Sequence, residues 1–229
     1  LSFTLTFPHA DDTVRIAYCY PFSYSFLRVT LDSLVSLSDE ASSYLRRQRL
    51  CYTRGGNTCE LLTITDFASS AGGIEAVLQR PVVVLTARIH PGETNASWVM
   101  KGFLEFILGP TAEAVELRKR CVFKIVPMLN PDGVINGNYR CSLGGGDLNR
   151  KWCRPSSVKH PTLFYTKKLV TSISEQRRLL LYTDFHGHSS LRSYVLYGCD
   201  EHDSRSVSRA GPDQASSTTE VHKIPVHFV

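Results

Sequence analysis

The sequence contains no long hydrophobic run and no closely spaced pair of cysteines. Its 229 residues include seven cysteines, an odd number, and none of them forms a C-x-x-C motif. We therefore expect reduced thiols in a cytosolic protein rather than a disulfide framework. No apolar stretch approaches the length of a membrane span, and the first residues do not resemble a secretory signal. These features favour a cytoplasmic protein without a membrane partner.

Signatures of nucleotide and nucleic-acid binding are also missing. Gly144-Gly145-Gly146 is a run of glycines, but the phosphate-loop pattern G-x-x-x-x-G-K-[ST] is absent. The formal net charge is +5, and the lysines and arginines are scattered more than clustered. This charge weakly favours an acidic substrate and predicts no nucleic-acid partner. A chain of 229 residues that is 42% hydrophobic can form one sizeable domain.

Strands alternate with helices along the chain, which predicts an α/β fold with a doubly wound, mixed sheet. Residues 1–22 alternate in hydrophobicity like two strands, LSFTLTF and TVRIAYCY, and we expect them to end an upstream β domain. Residues 23–198 carry the main α/β pattern. Residues 199–229 are polar and lack clear periodicity until Ile224. Because the chain starts at Leu1 rather than Met, we expect it to be a fragment.

Unusual polar residues follow three apolar strands of the predicted sheet. The carboxyl ends of parallel strands meet at one edge of a sheet, and ligand sites form there in open α/β folds. We therefore expect these polar residues to lie together. The strands and their following residues are Val82–Leu85 with His90-Pro91-Gly92-Glu93, Cys121–Pro127 with the Asn130–Trp152 loop, and Leu179–Phe185 with His186-Gly187-His188.

Two histidines and one glutamate from these strand ends are able to bind one zinc ion. His90, Glu93 and His186 supply imidazole nitrogens and a carboxylate, and they leave a fourth position open, as in catalytic zinc sites. There is an alternative, because H-x-x-E alone is a common pattern. His90 would then be a buried core histidine, and Glu93 would stabilise the start of a helix.

Three charged residues of the long loop are further candidates. Asp147 is either a hydrogen-bond partner of a ligand histidine or a solvated loop aspartate. Arg140 and Arg150 offer guanidinium groups to a carboxylate or a developing oxyanion, and the alternative is that they are ordinary surface arginines.

Three motifs resemble those of the cytosolic carboxypeptidases, a branch of the zinc metallocarboxypeptidases. They are HPGE, NPDGV-x-x-GNYRCSL-x-x-x-DLNRKW and DFHGHS. AYCYPFSYS is similar to the segment that joins the N-terminal β domain of that family to its catalytic domain. The resemblance covers about Tyr18 to Gly198, and the residues within the motifs are most similar to those of sub-type 6 of the cytosolic carboxypeptidases. It implies the zinc carboxypeptidase fold, here incomplete at its C-terminal end.

The resemblance implies a metal centre with one Zn²⁺ ion. His90, Glu93 and His186 would bind the zinc. Asp147 would accept a hydrogen bond from His90.

The resemblance also implies a substrate site. Asn149 and Arg150 would hold the C-terminal carboxylate of the substrate, and Arg140 would stabilise the carbonyl oxygen during hydrolysis. His188 would line the site. Members of the family remove C-terminal or side-chain-linked glutamates, notably from tubulin tails. The implied partner is therefore a protein with an acidic tail, in the cytosol and on microtubules.

One catalytic residue of the family has no clear counterpart. Family members use a further glutamate as general base, well downstream of the last zinc histidine. Past Gly198 the resemblance ends, and Glu220 lies too close to His186 in sequence to be a good match. Three functions therefore stay open: a deglutamylating zinc carboxypeptidase, an inactive or truncated homologue that binds acidic C-termini, and a zinc-dependent small-molecule deacylase.

Overall fold

A computed structural model describes residues 2–36, 41–68, 73–188, 196–197 and 227–228. They form a mixed sheet with helices packed on both faces, which confirms the predicted α/β class. The strands are β1 (Leu45–Tyr52), β2 (Thr58–Ile64), β3 (Val82–Ala87), β4 (Val122–Val126), β5 (Leu179–Phe185), β6 (Leu196–Tyr197) and β7 (His227–Phe228). The helices are α1 (Tyr24–Ser36), α2 (Ala41–Tyr44), α3 (Gly73–Gln79), α4 (Thr94–Leu108), α5 (Ala112–Arg120), α6 (Pro131–Ile135) and α7 (Pro161–Gln176), with a 3₁₀ turn at Leu148–Arg150.

The strand order places the ends of three parallel strands side by side. The order is β1-β2-β4-β3-β5-β7-β6, and β3 is parallel to both β4 and β5. The carboxyl ends of β3, β4 and β5 therefore share one edge, as the sequence predicts. Strand β2 is antiparallel to β4, so the β1–β2 turn lies at this same edge.

Strand β3 is buried on both faces, which explains its unbroken run of apolar residues. Val83 and Leu85 pack in the cluster that contains the buried face of α4. Val82 and Val84 pack on the opposite face, in the cluster that contains residues of α7. Full burial of such side chains contributes about 1.5–3 kcal/mol each. The strand is therefore a rigid base for the residues that follow it.

Helix α4 follows the predicted metal-binding residues His90 and Glu93 and anchors them to the core. Its buried residues recur at helical spacing and include Ala96, Met100 and Leu104, all at most 1% exposed. The backbone leaves the helix at Gly109, which is followed by Pro110. The start of α4, just after Glu93, is therefore held in place by core packing.

The two strands predicted in the first 20 residues are not formed. Residues 2–22 contain no strand, and the apolar side chains of Phe3 and Ile16 are 65% and 69% exposed. An isolated pair of strands is marginal in water, and in the described residues this segment has no sheet to pack on. Alternation in hydrophobicity was thus insufficient to produce a hairpin here.

The segment after β4 starts with a short helix, α6, where the sequence analysis expected the Asn130–Trp152 loop. Pro131 occupies the first turn of α6, and the side chain of Asn130 accepts a hydrogen bond from Gly133 N at 3.0 Å. Proline at the first helical position and asparagine before it are both typical of helix starts.

Most of the predicted polar tail, 199–229, lies outside the described residues, as does Glu220. Two of its residues form β7, which pairs with β5 through Phe185 and Phe228. Among the described helices, none has the length and apolar character needed to cross a bilayer.

Candidate functional site

The three predicted zinc ligands lie together at the carboxyl edge of the sheet. Nδ1 of His90 is 2.8 Å from one oxygen of Glu93, and Nδ1 of His186 is 3.0 Å from the other. One potential ligand atom from each residue lies within 4.8 Å of the others. Two imidazole nitrogens and a carboxylate oxygen form a donor set that suits zinc.

The turn between β3 and α4 brings His90 and Glu93 to the same side. Glu93 N donates to His90 O at 3.2 Å, and Gly92 N donates to Tyr139 O at 2.7 Å. A Cβ atom on Gly92 would lie 2.6 Å from that same carbonyl oxygen. Glycine is therefore required at this position, because the loop after α6 packs directly on the turn.

Each histidine uses its other ring nitrogen to contact a second carboxylate. Nε2 of His90 is 3.0 Å from Asp147, as the resemblance implied, and Nε2 of His186 is 2.7 Å from Asp184. A carboxylate at Nε2 favours the tautomer that carries its proton there, which leaves Nδ1 free for a metal. Both predicted ligands are oriented in this way.

Asp184 is a site residue that the sequence analysis missed. It is fully buried, and Thr86 donates a second hydrogen bond to it at 2.7 Å. A signal was present, because Asp184 and His186 are two residues apart and the side chains of a strand alternate between its faces. The extended chain therefore places both on the same side.

Hydrogen bonds keep the site carboxylates ionised. Burial opposes the charge on Glu93, but hydrogen bonds from His186, His90 and the backbone of Gly187 lower its pKa to about 2. Burial also opposes the charge on His186, whereas its hydrogen bonds to Asp184 and Glu93 raise its pKa to about 10. A cation at Nδ1 would replace that proton and keep the same negative partners.

Asp147 connects His90 to the predicted substrate-binding loop. Besides contacting His90, it accepts hydrogen bonds from the backbone of Asn149 and from Nε of Arg140, both at 2.8 Å. Burial acts against its charge, but these contacts lower its pKa. One carboxylate therefore positions both an imidazole and a guanidinium group.

A cleft of about 920 Å³ opens beside the histidines. Arg140, Asn149, Arg150 and His188 all line it, together with the three predicted ligands. Asn149 accepts a hydrogen bond from the Trp152 indole at 2.9 Å, so its amide nitrogen remains available to donate to a ligand. All eight predicted site residues are therefore at this cleft or, for Asp147, bonded to its wall.

Arg88 is a second residue that the sequence analysis missed. It is 3% exposed, with a left-handed backbone at φ 59°, two residues before His90. Its guanidinium donates to Pro91 O at 2.8 Å, to Ser97 Oγ at 2.8 Å and to Phe22 O at 3.2 Å. These contacts tie the metal-binding turn to α4 and to the N-terminal segment.

A histidine-rich site at the carboxyl edge of a mixed sheet, with guanidinium groups beside it, is typical of zinc-dependent hydrolases. A model of the zinc carboxypeptidase family matches residues 30–224. The chain belongs to this family, in the branch of the cytosolic carboxypeptidases.

The relatives cover nearly all of this chain but are much longer. Cytosolic carboxypeptidase 1 of Xenopus laevis is 53% identical over 203 residues, which is 87% of this chain and 16% of that protein. Cytosolic carboxypeptidase 4 of Mus musculus is 50% identical over 202 residues, 87% of this chain and 18% of that protein. Cytosolic carboxypeptidase 3 of the mouse is 45% identical over 200 residues, 87% of this chain and 19% of that protein. These relatives give no support to the expected similarity to sub-type 6.

The fold also matches solved structures. A metallo-carboxypeptidase from Burkholderia cenocepacia has a TM-score of 0.66 at 26% identity, over 78% of this chain and 44% of that one. A metallo-carboxypeptidase from Pseudomonas aeruginosa has a TM-score of 0.63 at 24% identity, over 79% of this chain and 44% of that one. The sheet and its flanking helices are thus those of the zinc carboxypeptidase fold.

Proposed function

We propose that this chain carries the metal centre and carboxylate clamp of a zinc metallocarboxypeptidase that removes glutamates from acidic protein tails, such as those of tubulin. The observation that carries the proposal is the position of His90, Glu93 and His186 in a cleft that Arg140 and Arg150 also line. The names of the matched relatives support a carboxypeptidase of the cytosol, and we place the protein there and on microtubules.

The metal would be held by His90, Glu93 and His186, with Asp147 and Asp184 orienting the two imidazoles. When bound, zinc supplies Lewis acidity at the carbonyl group that is cleaved. Arg140 would donate to the carbonyl oxygen as negative charge develops there. Arg140 lines the cleft and uses Nε for its bond to Asp147, so the two terminal nitrogens of its guanidinium are not needed for that bond.

The substrate would be held by its terminal carboxylate. Arg150 provides a planar pair of donors, which suits a carboxylate, and Asn149 provides its amide nitrogen. Among the described residues Arg150 forms no ion pair with an acidic side chain, so its charge is available for a ligand. A free C-terminus is therefore the feature that this clamp would recognise.

A second candidate function is binding of acidic C-termini without cleavage. Among the described residues that line the cleft, Glu93 is the single carboxylate, and it is a predicted metal ligand. A general base contributes roughly 10²–10⁴-fold to the rate of such a reaction. Without one, the same cleft would retain peptide and release little product.

Release of glutamate from a polyglutamate-ended peptide distinguishes the two. The chain is incubated with zinc and peptide, with a chelator and a C-terminally amidated peptide as controls. Release that the chelator abolishes supports the peptidase, whereas tight binding with no release supports the second candidate. If neither the free nor the amidated peptide binds or is cleaved, both proposals are wrong.

The division of the chain into residues 1–22, 23–198 and 199–229 also remains a proposal. Limited proteolysis followed by mass spectrometry would test it, because cleavage between compact units is favoured at exposed connections.

A further inference from the structure

Three segments outside the cleft bring lysine and arginine side chains to the same edge of the sheet. Arg54 lies in the β1–β2 turn, which the antiparallel pairing of β2 with β4 places at the carboxyl edge. Lys151 directly follows Arg150, and Lys159 lies two residues before Pro161, the first residue of α7. Helix α7 leads into β5, which is parallel to β3, so the start of the helix lies at this edge too.

The run of three glycines brings two of these cations close to one loop. A Cβ atom on Gly144 would lie 2.5 Å from Nη1 of Arg54, so the guanidinium rests directly on the backbone. Gly145 has a positive φ of 77° and turns the chain back. A Cβ atom on Gly146 would lie 3.9 Å from Cε of Lys151. Arg54 and Lys151 therefore flank the loop that carries the carboxylate clamp.

Arg54, Lys151 and Lys159 are exposed, and within the described ranges none of them forms an ion pair with an acidic side chain. The nearby carboxylate of Asp132 forms no ion pair with them, and its hydrogen bonds come from Thr53, Gly55 and Asn57 at 2.5–2.9 Å.

His160 lies beside Arg54 and Lys159, and Lys151 is also near it. Burial lowers its pKa first, and the positive charges of Lys151, Lys159 and Arg54 lower it further. No acidic residue contributes to that shift. The three cations thus lie close enough to one imidazole for their charges to act on it together.

We propose that Arg54, Lys151 and Lys159 form a basic patch that binds the acidic polypeptide preceding the residues held in the cleft. This inference rests on the proposed function and extends it from the terminal residue to the length of the tail. Residues 140–151 connect the two regions, because Arg140, Asn149 and Arg150 line the cleft while Ser142 and Lys151 lie on the side of the patch. A short acidic peptide would fill only the cleft, and a long one would reach both.

The test compares a short and a long fluorescent polyglutamate peptide, each with a free C-terminus, by anisotropy with the zinc-loaded chain. The patch variant is Arg54→Glu combined with Lys159→Glu. The control is Lys119→Glu combined with Arg178→Glu, which makes the same change in charge at exposed positions beside the amino ends of β4 and β5. We expect the patch variant to bind the long peptide about tenfold more weakly at low salt and to bind the short peptide as before.

Three results would overturn the inference. The patch variant could bind the long peptide as tightly as the parent, the control variant could lose as much affinity, or oligothymidylate could bind the patch more tightly than polyglutamate. Retained binding of the short peptide shows that the variant is folded and that the cleft is intact. If the parent chain binds neither peptide, the proposed function is itself wrong, which separates the two failures.

Discussion

Replacement of Asp184 by asparagine tests whether a buried carboxylate sets the affinity of this site for zinc. Asp184 is fully buried and bonds to His186 Nε2 at 2.7 Å and to Thr86 at 2.7 Å. Asparagine has nearly the same shape and can still accept from the imidazole and donate to the threonine. The substitution therefore removes the negative charge while the geometry is kept.

The loss of that charge makes His186 a weaker ligand. Mutation of a carboxylate that hydrogen-bonds a ligand histidine typically lowers metal affinity by about 10–100-fold, or roughly 1.4–2.8 kcal/mol. We expect a loss of this size, because the contact is short, largely buried and charge-assisted. The measurement is competition for zinc against a chromophoric chelator at constant pH.

Asp132→Asn is the matched control. Asp132 is 7% exposed and bonded to three donors in the β1–β2 turn, but it does not contact either histidine. Both variants should lower the midpoint of thermal unfolding, and only Asp184→Asn should weaken zinc binding. Equal zinc affinities in the two variants would refute the role of Asp184 in zinc binding.

Three other substitutions test how the site is supported. Arg88→Lys should weaken zinc binding and lower stability, because one ammonium group cannot replace a guanidinium that bonds to three acceptors. Arg118→Lys is the control, since Arg118 is also 3% exposed but lies on α5, and it should lower stability alone. Chelator competition measures zinc binding, and thermal unfolding measures stability. Gly92→Ala should reduce zinc affinity because its methyl group has no room, whereas Gly102→Ala, in open space on α4, should stabilise the chain by about 0.5–1 kcal/mol in urea unfolding. Leu104→Ala should cost about 2–5 kcal/mol in the same assay, and a cost under 1 kcal/mol would contradict its place in the core.

Much of the fold was predictable because its signals are local. The apolar run of β3 and the helical period of α4 each reflect burial of neighbouring residues, and β3 was found near its predicted bounds. Asn130 and Pro131 also gave a local signal, but it was interpreted as part of a loop, since the residue types that cap helices are also those that form turns and loops. The prediction of strands in residues 2–20 was wrong because a strand is stabilised by a partner strand, which is often distant in sequence and is not visible in a local pattern.

The sequence by itself determined the chemistry that this protein can offer. It supplied two histidines and a glutamate as zinc ligands, arginines and an asparagine for a carboxylate, and the glycine that lets the loop after α6 pack on the metal-binding turn. It also supplied the alternation that places Asp184 beside His186.

The tertiary structure alone decided which of these groups meet. His90 and His186 are 96 positions apart in sequence, and only the parallel pairing of β3 with β5 brings their Nδ1 atoms to the same carboxylate. The bond between His90 Nε2 and Asp147 and the position of Arg54 against the glycine loop likewise depend on packing between segments that are distant in sequence. The physical reason is that hydrogen bonds and charge interactions act over a few ångströms of space, whatever the separation along the chain.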